Sequence, residues 1–257
     1  MMLSDVASAP AAAETCSPII DLRQYTLHPG TRDKFIELFD REFVETQEAA
    51  GMRIIGQFRD LGDPNRFVWM RGFRDMPARG EALTSFYMQG EAWRRFGEIA
   101  RADMIDSTDA MLLHPICPDA AFALPNAADR PALDAPLSSG LIVATIHSLP
   151  NVVDDAFLQF FRAAVLPRIA SARGRLLGAF ATEYSSNNFP RLPLRENENV
   201  FISFLGFDSL AAYHRHMTAL GRDTEWRSEV YPALLKRLRG RPHTLRLAPT
   251  SRSQLRP

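Results

Sequence analysis

Two residues in predicted β-strands carry side chains suited to moving protons. Tyr25 lies in a strand predicted from Ile20 to Leu27, and His147 lies in one predicted from Leu141 to Leu149. A tyrosine hydroxyl can donate to a developing oxyanion, and a histidine exchanges protons near neutral pH. The pair suits metal-free proton transfer on a phenol or a carbonyl compound. The structural alternative is a histidine bonded to a backbone carbonyl and a tyrosine packed as an interface aromatic.

Three arginines alternate along neighbouring predicted strands and favour an anionic ligand. They are Arg23, Arg59 and Arg71. Planar guanidinium groups suit a carboxylate or an enolate. Gln57 could fix the orientation of such a ligand, and Trp69 could stack on its ring. The alternative is that these arginines form ion pairs that only fill an interface.

These strands belong to a pattern that occurs twice in the chain. Phe35 corresponds to Phe157, and the same spacing relates Tyr25 to His147. After an insertion in the second copy, the correspondence continues over the following segments. It joins Gly72-Phe73 to Gly206-Phe207, Trp93 to Trp226, and Leu113 to Leu247. A constant spacing across a helix and several strands indicates an internal repeat.

Each copy predicts the order βαββαβ, which is typical of a ferredoxin-like α+β unit. In the first copy Thr31 is the expected N-cap of the first helix, and Gly51 is the expected residue just beyond its end. The predicted organisation has five parts. They are a disordered leader at 1–18, a first domain at 19–116, a linker at 117–139, a second domain at 140–250, and a disordered tail at 251–257.

Alternation along the strands separates two faces of each predicted sheet. One face is apolar in the second copy and almost so in the first, and we expect it to lie under the helices. It carries Ile20, Leu22, Ile54, Phe58, Val68, Met70, Ile142, Ala144, Ile146, Phe180, Val200, Ile202 and Phe204. The other face carries every candidate site residue. We expect the two copies to meet through that face and to enclose a small-molecule pocket, with Tyr25 and His147 on opposing walls.

The stretch from Leu22 to Gly30, LRQYTLHPG, resembles the NIPSNAP family, as do Gly56-Gln57-Phe58 and the stretch from Phe67 to Phe73, FVWMRGF. The resemblance covers Ile19 to Pro115, and the second copy shares it only through the repeat. NIPSNAP domains belong to the dimeric α/β-barrel superfamily. The resemblance therefore implies a fused dimeric α/β barrel, in which two ferredoxin-like units pack sheet to sheet. It implies no single reaction, because that superfamily includes cofactor-free monooxygenases, isomerases, decarboxylases and haem enzymes.

The first functional hypothesis is a small enzyme that acts on an aromatic or carboxylated compound, by metal-free proton transfer or cofactor-independent oxygenation. Tyr25 and His147 would be the acid–base pair. Arg23, Gln57, Arg59, Trp69 and Arg71 would bind the substrate. The second hypothesis is a non-catalytic binding or protein-interaction NIPSNAP protein. A third is a haem protein with His147 as the axial ligand; otherwise we expect no cofactor and no metal.

Composition excludes several other classes. The 257 residues carry a formal net charge of zero, which argues against a dedicated nucleic-acid binder. No apolar run approaches the length of a membrane span, and the leader lacks an apolar signal segment. Cys16 and Cys117 give neither a metal spacing nor a disulfide framework. We expect a cytoplasmic protein with a small-molecule ligand, and a homodimer of the fused unit is an open alternative.

Overall fold

The computed structural model describes residues 14–15 and 17–257. The leader predicted at 1–18 and Cys16 therefore lie largely outside the described residues. Within the described part of the chain, no helix is long and apolar enough to cross a membrane.

The described residues form ten strands and eight α-helices. The strands are β1 (Glu14–Thr15), β2 (Ile19–Leu27), β3 (Arg53–Asp60), β4 (Arg66–Phe73), β5 (Met104–Pro115), β6 (Ala123–Leu124), β7 (Leu141–Ser148), β8 (Arg175–Thr182), β9 (Val200–Phe207) and β10 (His243–Pro249). The α-helices are α1 (Arg32–Leu38), α2 (Val44–Ala49), α3 (Met76–Thr84), α4 (Glu91–Ala102), α5 (Asp155–Phe160), α6 (Leu166–Ser171), α7 (Leu210–Arg222) and α8 (Tyr231–Leu235). Four π-helical turns interrupt these helices, at Phe39–Phe43, Ser85–Gln89, Phe161–Val165 and Trp226–Val230.

Eight antiparallel strands close into a barrel in the order β10-β3-β4-β2-β5-β8-β9-β7, with β7 pairing to β10. We call β2 to β5 with their helices the first half, and β7 to β10 with theirs the second half. The halves join where β5 pairs with β8 and where β10 pairs with β3. Closure leaves none of these eight strands with an unpaired edge.

The two halves have equivalent strand pairing. Arg23 lies opposite Trp69 in the first half, and Thr145 lies opposite Ser203 in the second. A bulge follows Ile54 in β3, and another follows Leu176 in β8. The first helical segment of each half is interrupted by a π-helical turn at matching positions. These equivalences allow side chains of one half to be compared, position by position, with those of the other.

The helix ends were predicted at the right positions in the first half. Thr31 precedes α1, but its hydroxyl donates to the carbonyl of His28 and does not cap the helix. Gly51 follows the end of α2 with a φ of +96°, a left-handed conformation that glycine adopts without strain.

The barrel interior is lined mainly by apolar side chains around its circumference, and Gln24 of β2 is a buried polar exception on the same face as Ile20 and Leu22. Its lining includes Ile20, Leu22, Ile55, Phe58, Val68, Met70, Met111, Leu113, Ile142, Ala144, Ile146, Phe180, Ile202, Phe204, Leu245 and Leu247. Most of these residues were expected to lie under the helices, so the assignment of the two faces was wrong. The interior of an eight-stranded barrel is just wide enough for side chains to fill, and an unpaired ion there would be costly. The polar face is covered by the helices of its own half instead.

The segments that follow β5 and β10 complete this interior. Phe122 is fully buried and packs against Phe180 and Phe204, with ring centroids 4.6 and 5.0 Å away. After β10, Leu255 is buried in the same cluster, and its amide donates to Ile55. The segment at 251–257 therefore packs against the barrel, and the prediction of a disordered tail was wrong. The predicted linker likewise begins with a packed segment.

Two glycines make room for these packed segments. A Cβ atom at Gly178 would lie 3.0 Å from the ring of Phe122. A Cβ atom at Gly56, the equivalent position in the first half, would lie 2.7 Å from the hydroxyl of Ser253. The rings of Phe58 and Phe180 lie closer still to these Cβ positions, the latter 2.8 Å from a Cβ at Gly178, so both positions are crowded from two sides.

We expect Phe122→Ala to lower the free energy of unfolding by about 3–5 kcal/mol, because it empties a fully buried site in the barrel. Leu137→Ala is the control, since Leu137 is 64% exposed in the same connecting segment. Chemical denaturation measures both variants. Equal effects of the two substitutions would contradict this view of the barrel interior.

Candidate active site between the sheet and the helices

A carboxylate and two arginines form a fully buried network under the helices of the first half. Asp21, Arg23 and Arg71 are each 0% exposed. Arg71 donates to Asp21 Oδ2 through Nε and Nη2, at 3.1 and 2.9 Å, and Arg23 Nη1 lies 3.3 Å from Asp21 Oδ1. These residues come from β2 and β4, which are adjacent strands. Arg23 and Arg71 therefore form ion pairs, which was the alternative to direct binding of an anionic ligand.

The network continues into the helices. Arg71 Nη1 also donates to Gln47 Oε1 at 3.0 Å and to the Tyr87 hydroxyl at 3.2 Å. Arg79 on α3 is buried nearby, so three guanidinium groups surround the single carboxylate of Asp21. Burial alone would raise the pKa of Asp21, but the coulombic attraction of the three arginines outweighs it and holds that pKa below its usual range.

Tyr25 joins this network to a cluster of aromatic rings. Its hydroxyl accepts a hydrogen bond from Arg23 Nε at 3.2 Å, while its ring packs edge-on against Phe35 and Trp69. Arg71 lies over the Trp69 ring, with its Cζ 4.8 Å from the ring centroid. Burial raises the pKa of Tyr25, so its hydroxyl keeps its proton. That proton is available to an acceptor, because the bond from Arg23 uses only a lone pair.

A cavity of about 380 Å³ adjoins the two tyrosines that accept from buried arginines. Tyr25 and Tyr87 line it together with Trp93, Met104, Ser107 and Phe189. The exposed side chains of Arg101 and Arg191 also lie along it. We call it the first-half cavity. Its walls combine aromatic rings with a few placed polar groups, as ligand sites commonly do.

The second half covers this cavity with its long β8–β9 hairpin, residues 183–199. Phe189 packs against Tyr87, with ring centroids 5.9 Å apart. Arg79 Nη1 donates to Asn188 Oδ1 at 2.6 Å and to Asn187 Oδ1 at 3.2 Å. The long hairpin of the second half therefore forms a roof over the cavity of the first half.

Gln57 and Arg59 lie apart from the cavity. Gln57 is buried and donates to Asp40 Oδ1 at 3.3 Å, and burial raises the pKa of Asp40 to about 6. Arg59 pairs with Asp33 at 2.8 Å on the exposed side of α1. Trp69 is buried within the aromatic cluster. The structure thus brings Arg23, Tyr25, Trp69 and Arg71 together and places Gln57 and Arg59 elsewhere.

Tyr25 and His147 do not face each other. Both lie outside the barrel interior, each under the helices of its own half, so they cannot form the expected pair across an interior. His147 Nδ1 lies 3.2 Å from the carbonyl oxygen of Phe201. Burial lowers the pKa of His147 to about 4. The imidazole is therefore neutral, and its contact is the backbone bond considered as the alternative.

His147 lines a second and larger cavity of about 550 Å³, between the second-half sheet and its helices. We call it the second-half cavity. Its lining also includes Ser203, Leu205, His216 and Trp226. Each half therefore has a cavity in the same layer, between its strands and its helices.

Sequence reasoning missed several residues of the first-half network. Tyr87, Gln47 and Arg79 lie on helical segments, and the search for polar groups was confined to strand faces. Asn187 and Asn188 lie in the long β8–β9 hairpin, and the sequence does not show which part of the chain this hairpin contacts. Gln47 lies one helical turn after Phe43, and both are buried. This spacing places Gln47 on the apolar face of the helix and could have identified it.

Comparison with known families identifies the first half. Residues 20–118 match the NIPSNAP family model. The first half of the chain is thus similar to a NIPSNAP domain. The match spans β2 to β5, and the matched segment therefore contains the Asp21 network and both cavity tyrosines. None of the curated proteins compared with the chain matches it.

Solved structures resemble nearly the whole chain. A candidate monooxygenase from Lactobacillus acidophilus is 14% identical, with a TM-score of 0.50 over 92% of this chain and 94% of the other. A candidate monooxygenase from Fusobacterium nucleatum is 10% identical, with a TM-score of 0.52 over 91% and 93%. An anthrone oxidase-like protein is 13% identical, with a TM-score of 0.55 over 93% and 95%. At these identities the likeness concerns the fold alone, a mixed α/β structure with a closed eight-stranded barrel.

Side chains that could ligate a metal ion or a haem are considered by the groups they form. Among the described residues, no cluster of three or more His, Cys, Asp or Glu side chains could hold a metal ion. A haem in the second-half cavity could use His147 or His216 as an axial ligand. Its two propionates would require cations, and Arg227 is the one arginine or lysine among the described lining residues. These residues fit a haem poorly.

We expect Asp21→Asn to lower the free energy of unfolding by about 3–5 kcal/mol, because it leaves buried arginines without a counter-charge. Asp33→Asn removes the partner of Arg59 at the surface and should cost less than about 1 kcal/mol. Urea denaturation compares them. A small effect of Asp21→Asn would show that the buried network does not depend on this carboxylate.

The His147 environment predicts a pH dependence of stability. The folded-state pKa of about 4 lies below the ordinary value of 6.5, so the unfolded chain binds the proton more tightly. The contribution of His147 is present above pH 6.5 and is lost as the pH falls toward 4, by roughly 3 kcal/mol in total. His147→Asn should remove this component of the pH profile, while His214→Asn, at an exposed position, should keep it. Identical profiles for wild type and His147→Asn would contradict the prediction.

Proposed function

We propose that the protein is a small-molecule enzyme whose substrate, an aromatic carbonyl or carboxylate compound, binds in the first-half cavity. The observation that carries the proposal is the pair of tyrosine hydroxyls, Tyr25 and Tyr87, each of which accepts a bond from a buried arginine. A guanidinium that donates to a phenol oxygen makes the phenol a stronger donor to a third group. Both hydroxyls belong to residues that line the same cavity.

The proposed acids are Tyr25 and Tyr87, in place of the Tyr25–His147 pair expected from the sequence. Their hydroxyls would donate to the substrate oxygen as it gains negative charge in an enolate or phenolate. This activation is common to metal-free proton transfer and to cofactor-independent oxygenation. Arg23 and Arg71 act through the tyrosines and orient them. The surrounding aromatic side chains would pack against the substrate ring.

Positive charge near the cavity supports an electron-rich or anionic substrate. Three buried arginines face one buried carboxylate, and two exposed arginines line the cavity. Such a surplus of positive charge attracts anions and raises their local concentration. An aromatic acid or an enolisable aromatic ketone matches both the charge and the ring-lined walls.

Binding is tested with anthrone and 2-naphthoate as probes, by thermal shift and calorimetry. Tyr25→Phe and Tyr87→Phe each remove one donor to the bound oxygen, so we expect affinity to fall about five- to tenfold. Tyr184→Phe is the matched control, because its hydroxyl bonds Asn199 on the exposed surface. Full affinity in the double Tyr25→Phe, Tyr87→Phe variant would overturn this assignment.

Turnover is tested separately by oxygen uptake with anthrone in chelator-treated buffer. Oxygenation would consume one anthrone and one O₂ and give one anthraquinone and one water. A second candidate function, a non-catalytic binding protein, is favoured by the complete burial of the Asp21 network, which could be purely structural. Tight binding without turnover of any bound probe would support that second function.

The likeness of the second half to the first supports a duplication of one domain. We infer that it is a diverged copy of the NIPSNAP domain and that each half is a ferredoxin-like βαββαβ unit. The equivalent strand registers, bulges and π-helical turns support this inference. A cytoplasmic location and a homodimer of the fused unit stay predictions; light scattering of the purified protein tests the second.

A further inference from the structure

The second-half cavity occupies the place that the Asp21 network fills in the first half. Thr145 is the equivalent of Arg23, and Ser203 is the equivalent of Trp69, as the matching strand registers show. Both Thr145 and Ser203 line the cavity. A threonine and a serine in place of an arginine and a tryptophan leave a space of about 550 Å³.

At two further positions a charged residue of the first half corresponds to an aliphatic residue of the second half. Leu205 stands at the equivalent of Arg71, and Val143 at the equivalent of Asp21. Both carboxylate and guanidinium partners of the first-half network are therefore replaced by aliphatic side chains. At these positions the wall is aliphatic, and a charged group placed against it would be desolvated without a partner. The one arginine or lysine among the described lining residues, Arg227, is exposed.

Two buried histidines add imidazole groups to the lining of this cavity. His147 Nδ1 lies 3.2 Å from the Phe201 carbonyl oxygen, and His216 Nδ1 lies 2.9 Å from the Ala172 carbonyl oxygen. A carbonyl oxygen only accepts, so each Nδ1 carries the proton and each Nε2 is left as an acceptor. Burial lowers the pKa of both imidazoles, which keeps them neutral.

Aromatic side chains form the outer part of the cavity. Trp226 and Tyr231 stack with ring centroids 5.6 Å apart, and both are half-buried lining residues. Met217 lines the cavity and is 48% exposed. Unlike the first-half cavity, this one has no long hairpin of the opposite half among its described lining residues. The first-half β3–β4 turn is short, and it spans only residues 61–65.

We propose that the second-half cavity is a separate binding site for an uncharged aromatic molecule that carries a hydroxyl group. The apolar walls would receive the ring, and an imidazole Nε2 would accept the hydroxyl proton. The volume lies within the range of small-molecule sites. This site is independent of the proposed active site in the first half, and its ligand differs in charge from the substrate expected there.

The test uses 2-naphthol, with 2-naphthoate and naphthalene as comparison probes, in titration calorimetry. In the double Tyr25→Phe, Tyr87→Phe variant, in which the first-half site is weakened, 2-naphthol should bind at least about tenfold more tightly than 2-naphthoate. Ser203→Trp restores the residue type found at the equivalent position and should fill the space. We expect it to weaken 2-naphthol binding at least about 30-fold, whereas Ser203→Ala should leave binding unchanged. The double Tyr25→Phe, Tyr87→Phe variant should also keep 2-naphthol binding, which separates this site from the first-half cavity.

The hydrogen bond has its own test. In His147→Leu, 2-naphthol should lose about five- to tenfold in affinity while naphthalene loses none. Circular dichroism establishes that each variant folds, and Ser203→Leu replaces Ser203→Trp if the tryptophan is not accommodated. Absence of 2-naphthol binding to wild type, or unchanged affinity in a folded variant with the cavity filled, would overturn the proposal.

Discussion

Closure of eight strands into one barrel is the constraint on which the rest of the structure depends. A closed barrel of this size has an interior that side chains must fill, and ions are too costly there. Every strand therefore presents aliphatic and aromatic residues inward, including Phe58 and Phe180 at equivalent positions. Polar residues are left to the outer face, where helices can supply hydrogen-bond partners. The Asp21 network lies there for this reason, together with both cavities.

The two halves use the same layer in different ways. In the first half, charge and aromatic volume fill most of the space between strands and helices, and a smaller cavity remains beside Tyr25 and Tyr87. In the second half, smaller residues such as Ser203 leave a larger space around His147, without the buried ion pairs of the first half. The barrel interior keeps a mainly apolar lining in both halves, which line it jointly. The outer layers are covered separately, so each could change without disturbing the other.

Much of the fold could be predicted from the sequence, because period-two alternation and the constant spacing of repeated residues report directly on strands and their equivalence. The choice of which face lies inside could not be read from alternation. The apolar face looked suited to helices, yet its apolar character in both halves was the signal of a shared interior. Tyr25, Arg23 and Arg71 were identified as a group, since strand neighbours follow from register. Tyr87, Arg79 and the asparagines of the long hairpin depend on tertiary packing that spacing does not encode.

The roof over the first-half cavity comes from the second half. Phe189 packs on Tyr87, and Asn187 and Asn188 hold Arg79, although more than one hundred residues separate these partners. The segment that matches the NIPSNAP model consequently does not contain every residue that encloses the first-half cavity. An excised first half would expose this aromatic cluster to water and lose one wall of the cavity. A substitution in the hairpin of one half therefore acts on the cavity of the other, so the sequences of the two halves are constrained together.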